Sequence, residues 1–290
     1  MFVLPWLIGL AVFQLGPMIA SLALSFTRYD LISSPVWAGT DNYARLAQDP
    51  KVARAIGNTV FYTVLHVPLA IVLALALALM LDRIGGRGAG VFRTIFYLPS
   101  MTPYVAVGVL FLFLLNGQAG MVNQFLALFG VEGPQWTTDP DWILPGIVLM
   151  SLWNLGSTTI ILFAALRNVP AELSEAAMID GAGSWARFLR ITLPMISPAL
   201  FFVLIINTIA SLQMFDQVYA MFFGNQVTQQ SSGDAALFYV VYLFQQAFQF
   251  LHMGYASALA WVLFLVIALI TFVQWRVGGR LVHYEGGERA

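Results

Sequence analysis

The chain has 290 residues, 60% of them apolar and only 9% charged, with a formal net charge of −1 and a mean hydropathy of +0.81. Soluble domains carry about 25% charged residues, so a water-soluble globular protein is excluded and a polytopic membrane protein is expected. Cysteine is absent, which rules out disulfides and cysteine-held metal; the small net charge points to no particular partner, and no nucleic acid is expected.

A helix needs about 20 apolar residues to cross roughly 30 Å of hydrocarbon. Six such runs occur, near 2–26, 57–81, 94–116, 143–166, 197–221 and 254–275, which predicts an all-α chain of six spans. The first run is too long for a signal-peptide core and lacks a basic leader and a small-residue cleavage site. It reads as a span whose cytoplasmic tail is very short or trimmed. The loop after it mixes Arg28, Arg45, Lys51 and Arg54 with Asp30, Asp41 and Asp49. In the second span His66, followed by Pro68, reads as a histidine hydrogen-bonded to a neighbouring helix.

The other nine basic residues fall in three places: Arg83, Arg87 and Arg93 in 82–93; Arg167, Arg187 and Arg190 in 167–195; and Arg276, Arg280 and Arg289 in the tail. Lys and Arg mark cytoplasmic loops, so these segments and both termini are expected inside. The fourth span carries Ser151, Asn154, Ser157 and Thr158 at three- and four-residue spacing, which predicts one polar helical face, wet or paired. In the fifth, Asn207, Ser211, Gln213 and Gln217 spread over about 160° of a regular helix and are not expected to line one narrow site together. At a 1.5 Å rise, Asp216 lies roughly 27 Å along that helix from Pro198, near the outer surface. The segment AALFYVVYLFQQAFQF, 235–250, is apolar but short and interrupted by Gln245, Gln246 and Gln249, so an interfacial or re-entrant helix is expected.

Between the fourth and fifth spans lies EAAMIDGAGSWARFLRITLP, 175–194. Pro170 suits a helix start, with Glu172 near the positive end of the dipole. Gly181 is a helix C-terminator, Ser184 a cap for a second helix, and Leu193-Pro194 an interruption before the fifth span. Physics alone leaves two readings for this helix–turn–helix: an amphipathic linker on the headgroups, or a docking piece whose small Ala176 and Ala177 admit another surface.

The Glu-Ala-Ala triplet, the glycine six residues after Glu175 and the Leu193-Pro194 end resemble the "EAA" loop of binding-protein-dependent ABC importer permeases. AGTDNYARLAQDP, FRTIFYLPSMTP, GMVNQFLALFG and LQMFDQVYAMFFGN are similar to the maltose-type carbohydrate-uptake branch, and the resemblance covers nearly the whole chain. The basic N-terminal tail usual there is missing, and the stretch after the fifth span reads GNQVTQQSSGD instead of being rich in glycine and proline. The resemblance implies a type I importer permease fold over 1–290, a single transmembrane domain in a bacterial or archaeal plasma membrane. It further implies a coupling loop, 168–195, that seats in an ATPase subunit through Glu175, Ala176, Ala177, Asp180, Gly181, Leu193 and Pro194. Implied partners are a second homologous permease, two ATPase subunits or domains and an extracytoplasmic sugar-binding protein.

The substrate cavity of that family would fall to Asn154, Ser157, Ser211 and Gln213, each of which serves equally well as an interhelical hydrogen-bonding group. Amides and hydroxyls without Lys or Arg suit a neutral, many-hydroxyl ligand, a sugar, better than phosphate or carboxylate. No catalytic or metal-binding residue is expected. The only lysine is Lys51 and no P-loop occurs, so ATP and Mg would sit on partner subunits. An ion-coupled transporter or channel acting alone, a glycerol-phosphate permease and a non-transporting scaffold are the alternatives.

Overall fold

A computed structural model describes residues 2–84, 86–224, 229–230 and 232–281. His283, Arg289 and part of the stretch after the fifth span lie outside these residues, as do the side chains of Arg87 and Arg280. Four helical segments are each long and apolar enough to cross a membrane: Leu4–Ser25, Pro50–Ile84, Ser197–Phe223 and Met253–Gly278. Two bent pairs, Gly90–Met101 with Tyr104–Leu114 and Pro140–Asn154 with Gly156–Arg167, bring the spans to six. The only strands among the described residues are Thr27–Arg28 and Val36–Trp37, paired antiparallel with Thr27 opposite Trp37.

The bends correct the expectation of two continuous spans. The third turns by 96° and the fourth by 51°. In the third, the Pro103 ring disfavours helical backbone at the residue before it, and Thr102 is extended at φ −77°, ψ 130°. In the fourth, a tight three-residue turn, Leu152–Asn154, precedes Leu155 at φ −83°, ψ −7°. Apolar counting cannot see either break, because the residues on both sides stay hydrophobic.

The chain divides into two compact units, Met1–Asn58 with Leu237–Ile270, and Thr59–Ala236 with Thr271–Ala290. The first is organised by side chains that bridge long sequence separations. Asn42, buried, donates to the carbonyls of Ser25 and Thr27 at 2.8 and 2.9 Å. Asn58 Nδ2 donates to the Leu237 carbonyl at 3.0 Å. Asp49 caps the helix Pro50–Ile84, accepting from the Lys51 amide at 2.9 Å. Its other oxygen accepts from the phenols of Tyr242, at 2.5 Å, and Tyr255, at 2.9 Å, and Arg45 lies 4.1 Å above the Tyr255 ring. The segment 239–249 is two short helical turns, Tyr239–Phe244 and Gln245–Gln249. It is not a span, and it is packed inside its unit: Gln245 and Gln246 are buried, Gln246 Oε1 accepting from His252 Nδ1 at 2.9 Å. Of the three glutamines that interrupt this segment, Gln245 and Gln246 are thus buried and Gln249 is exposed.

Burial opposes ionisation of Asp49, but the hydroxyls of Tyr242 and Tyr255, the Lys51 amide and Arg45 outweigh it and hold its carboxyl below the ordinary value of 3.8. A depressed folded value stabilises above the ordinary value and is lost as pH falls through the lower, folded one. Asp49→Ala removes a helix cap and the acceptor of two hydroxyls, and should cost about 2 kcal/mol. The check is a lower midpoint of thermal unfolding in detergent at pH 7, with the gap between wild type and variant closing in acid.

In the second unit, Ala74, Ala78 and Leu81 pack with Leu162, Phe163, Leu166, Ile196 and Val203 in one buried core. Alanines four residues apart let neighbouring helices approach closely, so spans two, four and five are joined here.

Candidate functional site

Two features of the second unit carry the functional residues. The first is a cavity of about 190 Å³ lined by Tyr62, His66, Tyr104, Ser151, Asn154, Asn207, Ser211, Gln213, Asp216 and Gln217, with Leu155, Ala210, Met214 and Phe215 between them. Tyr62 and His66 stack as i, i+4 neighbours, ring centroids 5.0 Å apart and 9° from parallel. Tyr62 donates to Ser151 Oγ at 2.9 Å, and Ser151 donates to the Ile147 carbonyl at 2.8 Å. His66 Nδ1 meets Ser211 Oγ at 3.2 Å. The expected interhelical bond of His66 is present, and the same histidine also lines the cavity.

Asn154, Ser211 and Gln213 are brought together here, and Asn154 Oδ1 is buried with no hydrogen-bond partner among the described residues. Ser157 is not: it is exposed and outside the lining, while Thr158 next to it is buried and accepts from Asn207 Nδ2 at 3.3 Å. The tight turn at 152–154 and the bend after it rotate the later residues away from Ser151 and Asn154, which corrects the single polar face expected from even spacing. The fifth span corrects the opposite way. Asn207, Ser211, Gln213 and Gln217 all line the one cavity, because the helix breaks after Leu212. Gln213 sits at φ −102°, ψ 16° and Phe215 at φ −141°, ψ −65°. The break swings Gln217 and Asp216 back toward the cavity, so Asp216 lies on its wall and not simply at the outer end of a straight helix. Tyr62 and Tyr104 were not singled out by sequence; the i, i+4 pairing of Tyr62 with His66 was the available signal.

The second feature is the segment between spans four and five. A helix Ala171–Ile179 starts after Pro170, and Glu172 is in its first turn. It ends with the Gly181 amide on the Met178 carbonyl at 3.1 Å and the Ala182 amide on the Ala177 carbonyl at 2.9 Å, with Gly181 at φ +80°. That pair of bonds is the Schellman arrangement, which needs a left-handed residue between them. The next helical stretch begins at Ser184 with Gly183 as its cap residue and no side-chain cap bond, so Ser184 is the first helical residue and not the cap. It continues through wide turns at Phe188–Thr192 and a turn at Leu193–Met195. The wider, i to i+5 bonding accommodates Pro194, and the break falls later, at Ile196 with φ −88°, ψ 1°. Arg187 Nη1 donates to Ser174 Oγ at 3.1 Å and ties the two helices together. Glu175, Ala176, Asp180 and Gly181 are exposed, Ala177, Leu193 and Pro194 half-buried. Ile179 and Trp185 stand 87% and 70% exposed, apolar area of the kind that marks a partner surface.

Residues 66–281 match the family model described as "Binding-protein-dependent transport system inner membrane component". The chain belongs to that family. This permease is 38% identical over 290 residues to the probable ABC transporter permease protein YesP of Bacillus subtilis, covering 99% of this chain and 92% of that one. It is 36% identical to the lactose transport system permease protein LacF of Rhizobium radiobacter, covering 94% and 91%. Among solved structures it is similar to a chain of a bacterial ABC transporter that imports the acidic polysaccharide alginate, with TM-score 0.84, 26% identity and coverage of 97% and 95%. The permease is therefore a six-span, predominantly helical membrane component of an ABC importer, and the cavity and the loop lie within the matched residues, apart from Tyr62 four positions before them.

Proposed function

We propose that this permease forms half of the translocation path for a sugar or small oligosaccharide, with a second homologous permease, two ATPase subunits or domains that hold ATP and Mg, and an extracytoplasmic sugar-binding protein. The observation that carries the substrate reading is the cavity: hydroxyls and amides from three spans beside a Tyr62–His66 stack, with no Lys or Arg in the lining. Asn154, Ser211 and Gln213 would offer hydrogen bonds to sugar hydroxyls. Relatives named for lactose and for arabinooligosaccharides support this class. One relative is named for sn-glycerol-3-phosphate, a ligand that would call for a cation this lining lacks.

The loop 168–195 is the proposed ATPase-coupling element of this single permease domain. Glu175 would meet a basic group in the ATPase, Ala176 and Ala177 would allow close seating, Asp180 and Gly181 would shape the turn, and Leu193 and Pro194 would pass motion into span five. The core shared by spans two, four and five would make such motion a rigid-body shift. Loops rich in arginine, this one included, would face the cytoplasm with both termini.

The test is reconstitution. The complex purified in mild detergent should bring an ATPase with it. Uptake of a sugar into proteoliposomes should need ATP and added binding protein, and should survive a protonophore. Uptake that collapses with the proton gradient while ATP is maintained would instead establish the ion-coupled alternative.

A further inference from the structure

The cavity wall carries a single acid, Asp216, and neither lysine nor arginine. Asp216 is exposed, and no ion pair among the described residues engages it. The side chains beside it, Gln213 and Gln217, make no hydrogen bond among the described residues either, so two amides and a carboxylate stand ready at one side of the space. Opposite in chemistry are Tyr62, Ser151, His66 and Ser211, whose polar atoms are already bonded to one another. An acid within a span is costly unless it faces water or a ligand. A carboxylate accepts hydrogen bonds from neighbouring sugar hydroxyls at both oxygens. The same carboxylate repels another anion, and a confined cavity screens that repulsion less than bulk water does.

We propose that Asp216 makes this cavity a charge filter, which passes uncharged sugars and holds back sugars bearing a carboxylate, phosphate or sulfonate. The inference rests on the sugar-import reading and narrows it.

The experiment uses the whole importer in proteoliposomes with its binding protein, at neutral pH. A panel of neutral disaccharides is offered, each beside its own uronate. The binding protein's affinity for both members of each pair is measured separately in solution. For the disaccharide taken up fastest, wild type should prefer neutral over uronate by at least about tenfold beyond the ratio set by the binding protein, a difference worth about 1.4 kcal/mol. Asp216→Asn should cut that excess at least about fivefold, whatever it does to the neutral rate, and Asp216→Glu should retain it. An excess near one in wild type, or one unchanged in Asp216→Asn, overturns the filter while leaving sugar import standing. Absence of ATP-driven uptake for every disaccharide in the panel overturns the sugar reading itself.

Discussion

Gly181→Val is expected to reduce ATP-driven uptake at least about tenfold while leaving the amount of protein in the membrane nearly unchanged, and Gly181→Asn is expected to keep most of it. A Cβ at Gly181 meets nothing within 4 Å, so side-chain size is not the obstacle. The obstacle is the backbone at φ +80°, where a β-branched residue is strongly disfavoured and asparagine is tolerated. Valine would have to abandon the left-handed conformation and with it the two bonds that end the first helix, from the Gly181 and Ala182 amides. The exposed face around Glu175 and Ile179 would then point elsewhere relative to Trp185. Uptake and sugar-stimulated ATP hydrolysis in proteoliposomes, with membrane level by immunoblot, measure this. Equal transport by the valine and asparagine variants would show that the turn's geometry has no part in coupling.

A second substitution should act on folding. At Gly156 an added Cβ would run into the Phe96 carbonyl oxygen and come within 2.6 Å of Ser100 Oγ and 2.9 Å of Tyr97 Cα. Two of these are backbone atoms and cannot rotate away. Gly156→Leu must therefore push the fourth span from the helix Gly90–Met101, at the upper end of what overpacking costs, about 3 kcal/mol. The expected result is a large drop in the protein recovered as a monodisperse detergent complex and a lower unfolding midpoint, with Gly156→Ala intermediate. Because Gly156 directly follows the bend at Leu155, relaxation of the clash would also shift Asn154, and any surviving protein should transport less per molecule.

The spans were legible because hydrocarbon imposes one rule on every residue of a crossing helix, and the turn at Gly181 because few residues adopt its backbone. The cavity was legible only in part. Asn154, Ser211 and Gln213 were readable as polar groups at depth, but their assignment to faces assumed regular helices. Real helices break at Thr102, at Leu155 and after Leu212, and each break reorients the residues beyond it: Ser157 leaves the cavity, and Gln217 and Asp216 enter it. Proline signals the first break, since Pro103 restricts Thr102. The other two have no proline, and depend on contacts that form only in the folded chain, such as the close passage of Gly156 against residues 96–100. Tyr62 and Tyr104 were obscured for a different reason: aromatic residues are common throughout membrane helices, so composition does not distinguish a ring in a cavity wall from one facing lipid.

The carboxylate at Asp49 receives hydroxyls from residues 193 and 206 positions later in the chain. A ribosome adding about 5–20 residues per second leaves that acid without those partners for roughly 10–40 s after it emerges. The first extramembrane segment must therefore wait, partly assembled, until nearly the entire polypeptide has been inserted, and a chain truncated before Tyr242 would carry the acid without either phenol, held only by the Lys51 amide.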